Sequence, residues 1–201
     1  MKKIFVIGVL LSSLLLGEIP RVKNNNSIGV EINPLSLTLL NSSNRNKGFS
    51  GAISHFDNTN TRELALSINY IKTEDNLLDV GYNYYDSPTE VMNISLHYRK
   101  FVSNKTNGFY YGGFGSFTYL DGKVKNDNRL ATVKKFGLGA EIGVRLMKTH
   151  SNWSFYWGPA LRLGTYLGSN NDVFESDSLG MGIYDKDLFV DVDFFRIGFR
   201  F

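Results

Sequence analysis

The stretch FGLGAEIGVRL, residues 136–146, decides how the chain folds. Phe136, Leu138, Ala140, Ile142, Val144 and Leu146 fall on one side of an extended backbone. Gly137, Gly139, Glu141, Gly143 and Arg145 fall on the other. A period of two is the mark of a strand with unlike faces. One face here is wholly apolar, and the other mixes glycine with charge. That second face suits a narrow, polar, crowded interior.

The same period recurs on either side. Leu64, Leu66, Ile68 and Tyr70 alternate with Glu63, Ala65, Ser67 and Asn69. Met92, Ile94, Leu96 and Tyr98 alternate with Asn93, Ser95, His97 and Arg99. Trp153, Phe155, Trp157, Leu161 and Leu163 alternate with Ser154, Tyr156, Gly158, Ala160, Arg162 and Gly164. At the end of the chain Phe195, Ile197, Phe199 and Phe201 share a face, with Phe194, Arg196, Gly198 and Arg200 between them. Further strands are expected over 28–40, where Pro34 is tolerable only at a bulge or irregular edge, and over 48–56. Residues 108–120 are aromatic on both faces, which leaves their facing open.

Connections set the topology. Short links fall at 57–61, 103–107 and 149–151, and longer ones at 41–47, 73–89, 121–130 and 169–186. Strict alternation of short and long gives eight antiparallel strands, with turns at one end and long loops at the other, as in transmembrane barrels. The segment 77–85 alternates like a strand of its own. It is read as an extension of the second long loop, because a single-chain bacterial barrel takes an even strand number. Ten strands stay open as an alternative.

Composition narrows the classes. An aromatic share of 14% supplies enough burial to exclude a disordered chain. The absence of cysteine excludes disulfides, thiolate zinc sites and cysteine nucleophiles. A net charge of +3 gives no ground for a nucleic-acid partner. The start, Met1-Lys2-Lys3 followed by an apolar run to Leu16 and then Gly17, predicts a cleaved signal peptide over 1–17. The run is too short to span a membrane as a helix. A polar tether is expected over 18–27 and the barrel over 28–201.

Alternation does not say which face is outside, since a soluble lipocalin-like barrel turns its apolar face inward. Three features favour the membrane form: strands of a dozen residues, charges on the glycine face, and aromatics beside the short turns. Arg99, Glu141, Arg145, Arg162 and Arg196 are therefore expected as a lumen polar cluster, packed as a salt-bridged plug rather than a pore. Phe101, Phe109, Trp153, Phe199 and Phe201 are expected as an interfacial aromatic girdle.

With these residues in view, the chain resembles the small eight-stranded outer-membrane barrels of Gram-negative bacteria, the group of outer-membrane protein X and the outer-membrane protein A barrel. It is also similar to uncharacterised barrel families that open with an Asn-Pro-Leu segment, here Ile32 to Leu37, and carry a middle like HYRKFVSNKTNGFYYGGFGSF, residues 97–117. The resemblance implies residence in the outer membrane, contact with its lipid and lipopolysaccharide, and assembly through the C-terminal strand ending in Phe201. It transfers no catalytic residue.

Candidate chemistry is sparse. Ser95 and His97 share a face with Glu141, which names the residue types of a serine hydrolase. The order Ser95-Leu96-His97 on the lumen face, two strands from Glu141, reads instead as lumen hydrogen bonding, so no catalytic residue is expected. The acidic residues Asp172, Glu175, Asp177, Asp185 and Asp187 match no calcium loop and read as a solvated loop; no metal or cofactor is expected. Lys123, Lys125, Arg129, Lys134 and Lys135 form a basic link expected on the outer side, a solvated loop that could also face lipopolysaccharide phosphates. The expected protein is a monomeric barrel with a structural or surface-interaction role. A narrow channel is the alternative, and a lipid-modifying hydrolase the third reading.

Overall fold

A computed structural model of the chain describes residues 27–34, 47–59, 61–73, 85–103, 106–124, 130–150, 152–167, 183–184 and 188–201. The signal peptide, nearly all of the tether and the acidic loop lie outside these residues, as do 77–84 and 125–129. Nine strands follow in order: β1 (Ser27–Ile32), β2 (Lys47–Phe56), β3 (Arg62–Thr73), β4 (Tyr85–Phe101), β5 (Gly108–Val124), β6 (Leu130–Thr149), β7 (Ser154–Leu167), β8 (Ile183–Tyr184) and β9 (Leu188–Arg200). Each of β1 to β6 pairs antiparallel with the next, β7 pairs with β9, and β9 returns to β1. The result is a closed ring of eight strands. The two-residue β8 adds a short ladder to β9 and is not a ring member.

The seam is brief. Gly29 to Ile32 face Arg200 to Ile197. Beyond them the amide of Phe201 donates to the Ile28 carbonyl at 2.9 Å, and the amide of Ile28 returns a bond to Phe201 at 3.2 Å. Closure leaves no open edge along these residues, which matters because an unpaired edge recruits other chains.

Period two carries through the ring. Ile28, Val30, Ile53, Leu64, Leu66, Leu96, Leu138 and Leu163 stand exposed on the outside. Glu31, Glu63, Arg99, Glu141 and Arg145 are buried inside. A water-soluble protein does the reverse. A continuous apolar exterior over a polar interior is the arrangement that hydrocarbon stabilises and water does not.

Several boundaries differ from the sequence reading. β4 reaches back to Tyr85, with a register irregularity at Asp86–Thr89 that accommodates Pro88, so part of the expected second loop is strand. β5 and β6 run into the expected loop at 121–130, to Val124 and from Leu130, with Asp121 opposite Thr132. The Thr132 hydroxyl donates to the Asp121 carboxylate at 2.9 Å, which gives that extension a cross-strand tie. β1 ends at Ile32, before Pro34, rather than at 40, and 35–46 lie outside the described residues. Along 108–120, Tyr110 and Phe114 point inward, and Phe109 and Tyr111 point outward.

Candidate functional site

Among the described residues the lumen is where the fold gathers chemistry, and it does so largely by parity. Glu31 on β1, Glu63 on β3, Arg99 on β4, Glu141 and Arg145 on β6, Arg162 on β7, and Asp193 and Arg196 on β9 all project inward. Their side chains meet across the axis. Glu141 Oε1 accepts from Arg99 Nε at 2.6 Å, and Oε2 accepts from Arg162 Nε at 3.3 Å. Arg99 Nη1 also donates to Glu63 at 3.1 Å. Arg145 Nη2 bridges Glu31 at 3.0 Å and Glu63 Oε2 at 2.8 Å. Arg162 continues to Asp193 at 3.1 Å and to Asp191. Arg196 joins Asp193 at 2.9 Å to Glu31 at 3.3 Å. The Asn33 amide donates to the other oxygen of Asp193 at 3.0 Å.

These pairs form one connected network in which nearly every charge has an opposite neighbour. The reason is energetic. An unpaired charge buried this deeply costs several kcal/mol, and an eight-stranded interior is just wide enough for side chains to fill. Arg145 sits on an aromatic floor, its guanidinium carbon 4.3 Å from the Tyr156 ring centroid, 5.0 Å from Phe101 and 5.4 Å from Phe56. The amino groups Arg99 Nη2 and Arg145 Nη1 make no hydrogen bond among the described residues. Both guanidinium groups instead face the Tyr110 ring, at 5.5 and 5.8 Å. The Tyr156 hydroxyl donates to Glu31 at 3.1 Å. Room for that ring comes from Gly198, where a Cβ would collide with it.

The expected cluster of Arg99, Glu141, Arg145, Arg162 and Arg196 is thus brought together inside the barrel. Its acidic half was larger than foreseen: Glu31, Glu63, Asp191 and Asp193 belong to it as well. The signal for Glu31 and Glu63 was present in the chain, as carboxylates on the inward parity of SIGVEI and RELALS. Asp191 and Asp193 fall on the opposite parity to Arg196 and turn inward through the register shift opposite Gly158–Ala160.

Of the expected girdle, Phe109, Phe199 and Phe201 are exposed on the outside. Trp153 lies half-buried in the link before β7, 4.3 Å from the His150 ring and 5.9 Å from Phe199. Phe101 departs from expectation. It is only 2% exposed and packs at 5.2 Å against Tyr110. It shares inward parity with Arg99, so position in the strand, not proximity to the turn, sets its direction. Lys135 is a second correction: it is buried in the lumen with its ammonium 5.1 Å from the Tyr166 ring, not solvated on a loop.

His97 takes part in lumen hydrogen bonding, as its face suggests. Its Nδ1 donates to Glu141 Oε2 at 2.6 Å, across the lumen and past the strand that lies between them along the wall. Its Nε2 lies 3.0 Å from the hydroxyl of Ser67, whereas the Ser95 hydroxyl donates to Asn93 at 2.7 Å. The order serine, histidine, carboxylate is therefore present through Ser67. Acyl transfer also needs donors for an oxyanion. Ser67 is paired on both sides, to Ala52 and to Ser95, so its strand backbone is engaged in ladders. Glu141 is shared with two arginines. Among the described residues no group of three or more acidic, histidine or cysteine side chains could hold a metal ion.

No family model matches the chain, and no characterised protein matches it by sequence. Two solved structures are similar to it. Neisserial surface protein A (NspA) superposes with a TM-score of 0.43 at 13% identity, covering 87% of this chain and 93% of that one. The N-terminal β-barrel domain of Pseudomonas aeruginosa OprF does so with a TM-score of 0.38 at 13% identity, covering 90% and 100%. On its own pairing and its own two faces, this chain is a closed, eight-stranded antiparallel barrel with an ionic lumen and an apolar exterior.

Proposed function

We propose that the protein is an integral outer-membrane barrel of a Gram-negative envelope, a plugged scaffold whose long connections are its working surface. The observation that carries this reading is the lumen. Arg145 on its aromatic floor, beneath the Glu141 network, fills the bore with paired side chains, while the exterior offers lipid a continuous apolar wall. In this reading the leader directs export and is cleaved. The final strand ending in Phe201 serves the barrel-assembly machinery. The long-loop end meets lipopolysaccharide and whatever the surface binds.

Planar-bilayer recording tests it, with unboiled-versus-boiled gel mobility certifying the folded input. Folded protein is expected to give no discrete conductance. Reproducible steps whose size changes with Arg145→Ala or Arg162→Ala would overturn the plug and make the barrel a narrow channel.

A further inference from the structure

One patch of the outer wall is not explained by the scaffold alone. Arg62 on β3 and Lys100 on β4 are direct register partners, and both are exposed on the outside. Like charges placed opposite each other destabilise a sheet, and neither residue has an ion pair among the described residues. Tyr111 on β5 is the next register partner along the same row. The row just above holds His55, Leu64 and Tyr98, again facing out. The one carboxylate at this level is Asp57, which accepts the backbone amides of Thr61 at 3.0 Å and Arg62 at 3.1 Å and so is occupied with the turn. Among the described residues the wall from β2 to β5 therefore carries two cations, an imidazole and two phenols against one carboxylate, Asp57, which feels the charge of Arg62 but gives its hydrogen bonds to the turn.

Depth tells what meets it. At about 3.3 Å per residue and a tilt of about 40°, the run from Arg62 to Lys72 rises roughly 25 Å, the height of the apolar band of an outer-membrane barrel. Lys72 in turn has Lys47 as its register partner. Lysines thus stand at the upper headgroup level as well, but there Lys72 has the carboxylate Glu90 as its other register partner, which the Arg62–Lys100 pair lacks. The Arg62 pair lies at the short-turn end, hence in the inner leaflet, a placement that rests on the membrane reading above.

We propose that Arg62 and Lys100, flanked by Tyr98, Tyr111 and His55, bind the phosphate of an anionic phospholipid in the inner leaflet. A guanidinium presents two parallel N–H groups to phosphate oxygens, an ammonium adds a point charge, and phenols donate at the interface. The bound anion also removes the Arg62–Lys100 repulsion.

The test is native mass spectrometry of the full folded barrel, released from detergent after incubation with equal amounts of phosphatidylglycerol and phosphatidylcholine. Wild type is expected to retain phosphatidylglycerol in preference. Arg62→Gln with Lys100→Gln should weaken that retention roughly thirty-fold, at about five-fold for each basic residue lost, while Lys47→Gln with Lys72→Gln leaves it in place. Equal retention by wild type and the Arg62/Lys100 variant, or an equal loss in the Lys47/Lys72 variant, would overturn the site. If the double variant does not fold, Lys100→Gln alone carries the comparison, with an expected loss of about five-fold. A folded barrel that inserts into vesicles without lipid preference sinks only this site. A chain that does not insert sinks the membrane reading itself.

Discussion

Glu141 receives Arg99, Arg162 and His97 on its two oxygens while only 1% exposed, and it ties β4 and β7 to β6. Removing it takes one carboxylate from each of two buried guanidinium groups, leaving Arg99 with Glu63 and Arg162 with Asp191 and Asp193. Breaking a buried pair outright costs about 3–5 kcal/mol, and the partners that remain reduce that cost. Glu141→Ala should therefore lower the urea midpoint of unfolding in detergent, followed by the fluorescence of Trp153 and Trp157. Glu141→Gln should lower it less, since the amide oxygen still accepts one bond. An unchanged midpoint would mean that Glu141 is solvated and that the network does not hold the barrel. At this scale much was legible before the structure. Arg99, Glu141, Arg145 and Arg162 share a face with glycines, and that face suits a crowded interior. Which charges pair was not legible, because parity gives a direction but not a partner across the axis. His97 is the clearest case: β4 and β6 are separated by β5 along the wall, yet neighbours through the middle.

The strands and their turns carry a different kind of information. The link from β2 to β3 is organised by one carboxylate: Asp57 takes the Thr59 hydroxyl at 2.6 Å and the amides of Thr61 and Arg62. Partial burial pushes this carboxyl up, but the three hydrogen bonds and the charge of Arg62 together outweigh it and hold the group below its ordinary value. A carboxyl depressed in the folded state lends stability above its unfolded pKa, and that stability is lost as pH falls through the folded pKa. The gap in unfolding midpoint between wild type and Asp57→Asn should accordingly shrink as pH is lowered from about 5 to about 3. A gap that stays constant with pH would show that the turn does not depend on the charge. The turn itself was readable from DNTNT, whose Asp and Asn bond readily to nearby backbone. Strand length was less so. Leu130 to Lys135 and residues 85–89 contain polar residues and Pro88, which read as loop in isolation, and only a paired partner strand makes them ladder.

For the molecule as a whole, the decisive pairing is the seam. Val30 and Phe199 are direct register partners on β1 and β9. Cysteines placed at both positions should oxidise to one disulfide in the folded barrel, since facing Cα atoms in an antiparallel pair lie within disulfide reach. The circularised chain should run faster than the reduced one on a denaturing gel. No such species after oxidation would mean the ring is open at β1. Eight strands with alternating turns implied a barrel. That the first strand finds the last is a property of curvature and twist accumulated over the whole sheet, which no local stretch encodes. The seam also orders events in time. It joins side chains as far apart as Ser27 and Arg200, 173 positions along the chain. Its closure costs about 2.5 kcal/mol more in chain entropy than a ten-residue turn. The hairpins from β2 to β7 rest on near neighbours and can zip early, leaving β1 and β9 as the last free edges. Until those two meet, the growing sheet is a curled ribbon with two sticky margins, and the few bonds from Ile28 to Ile32 are the latch that turns ribbon into cylinder.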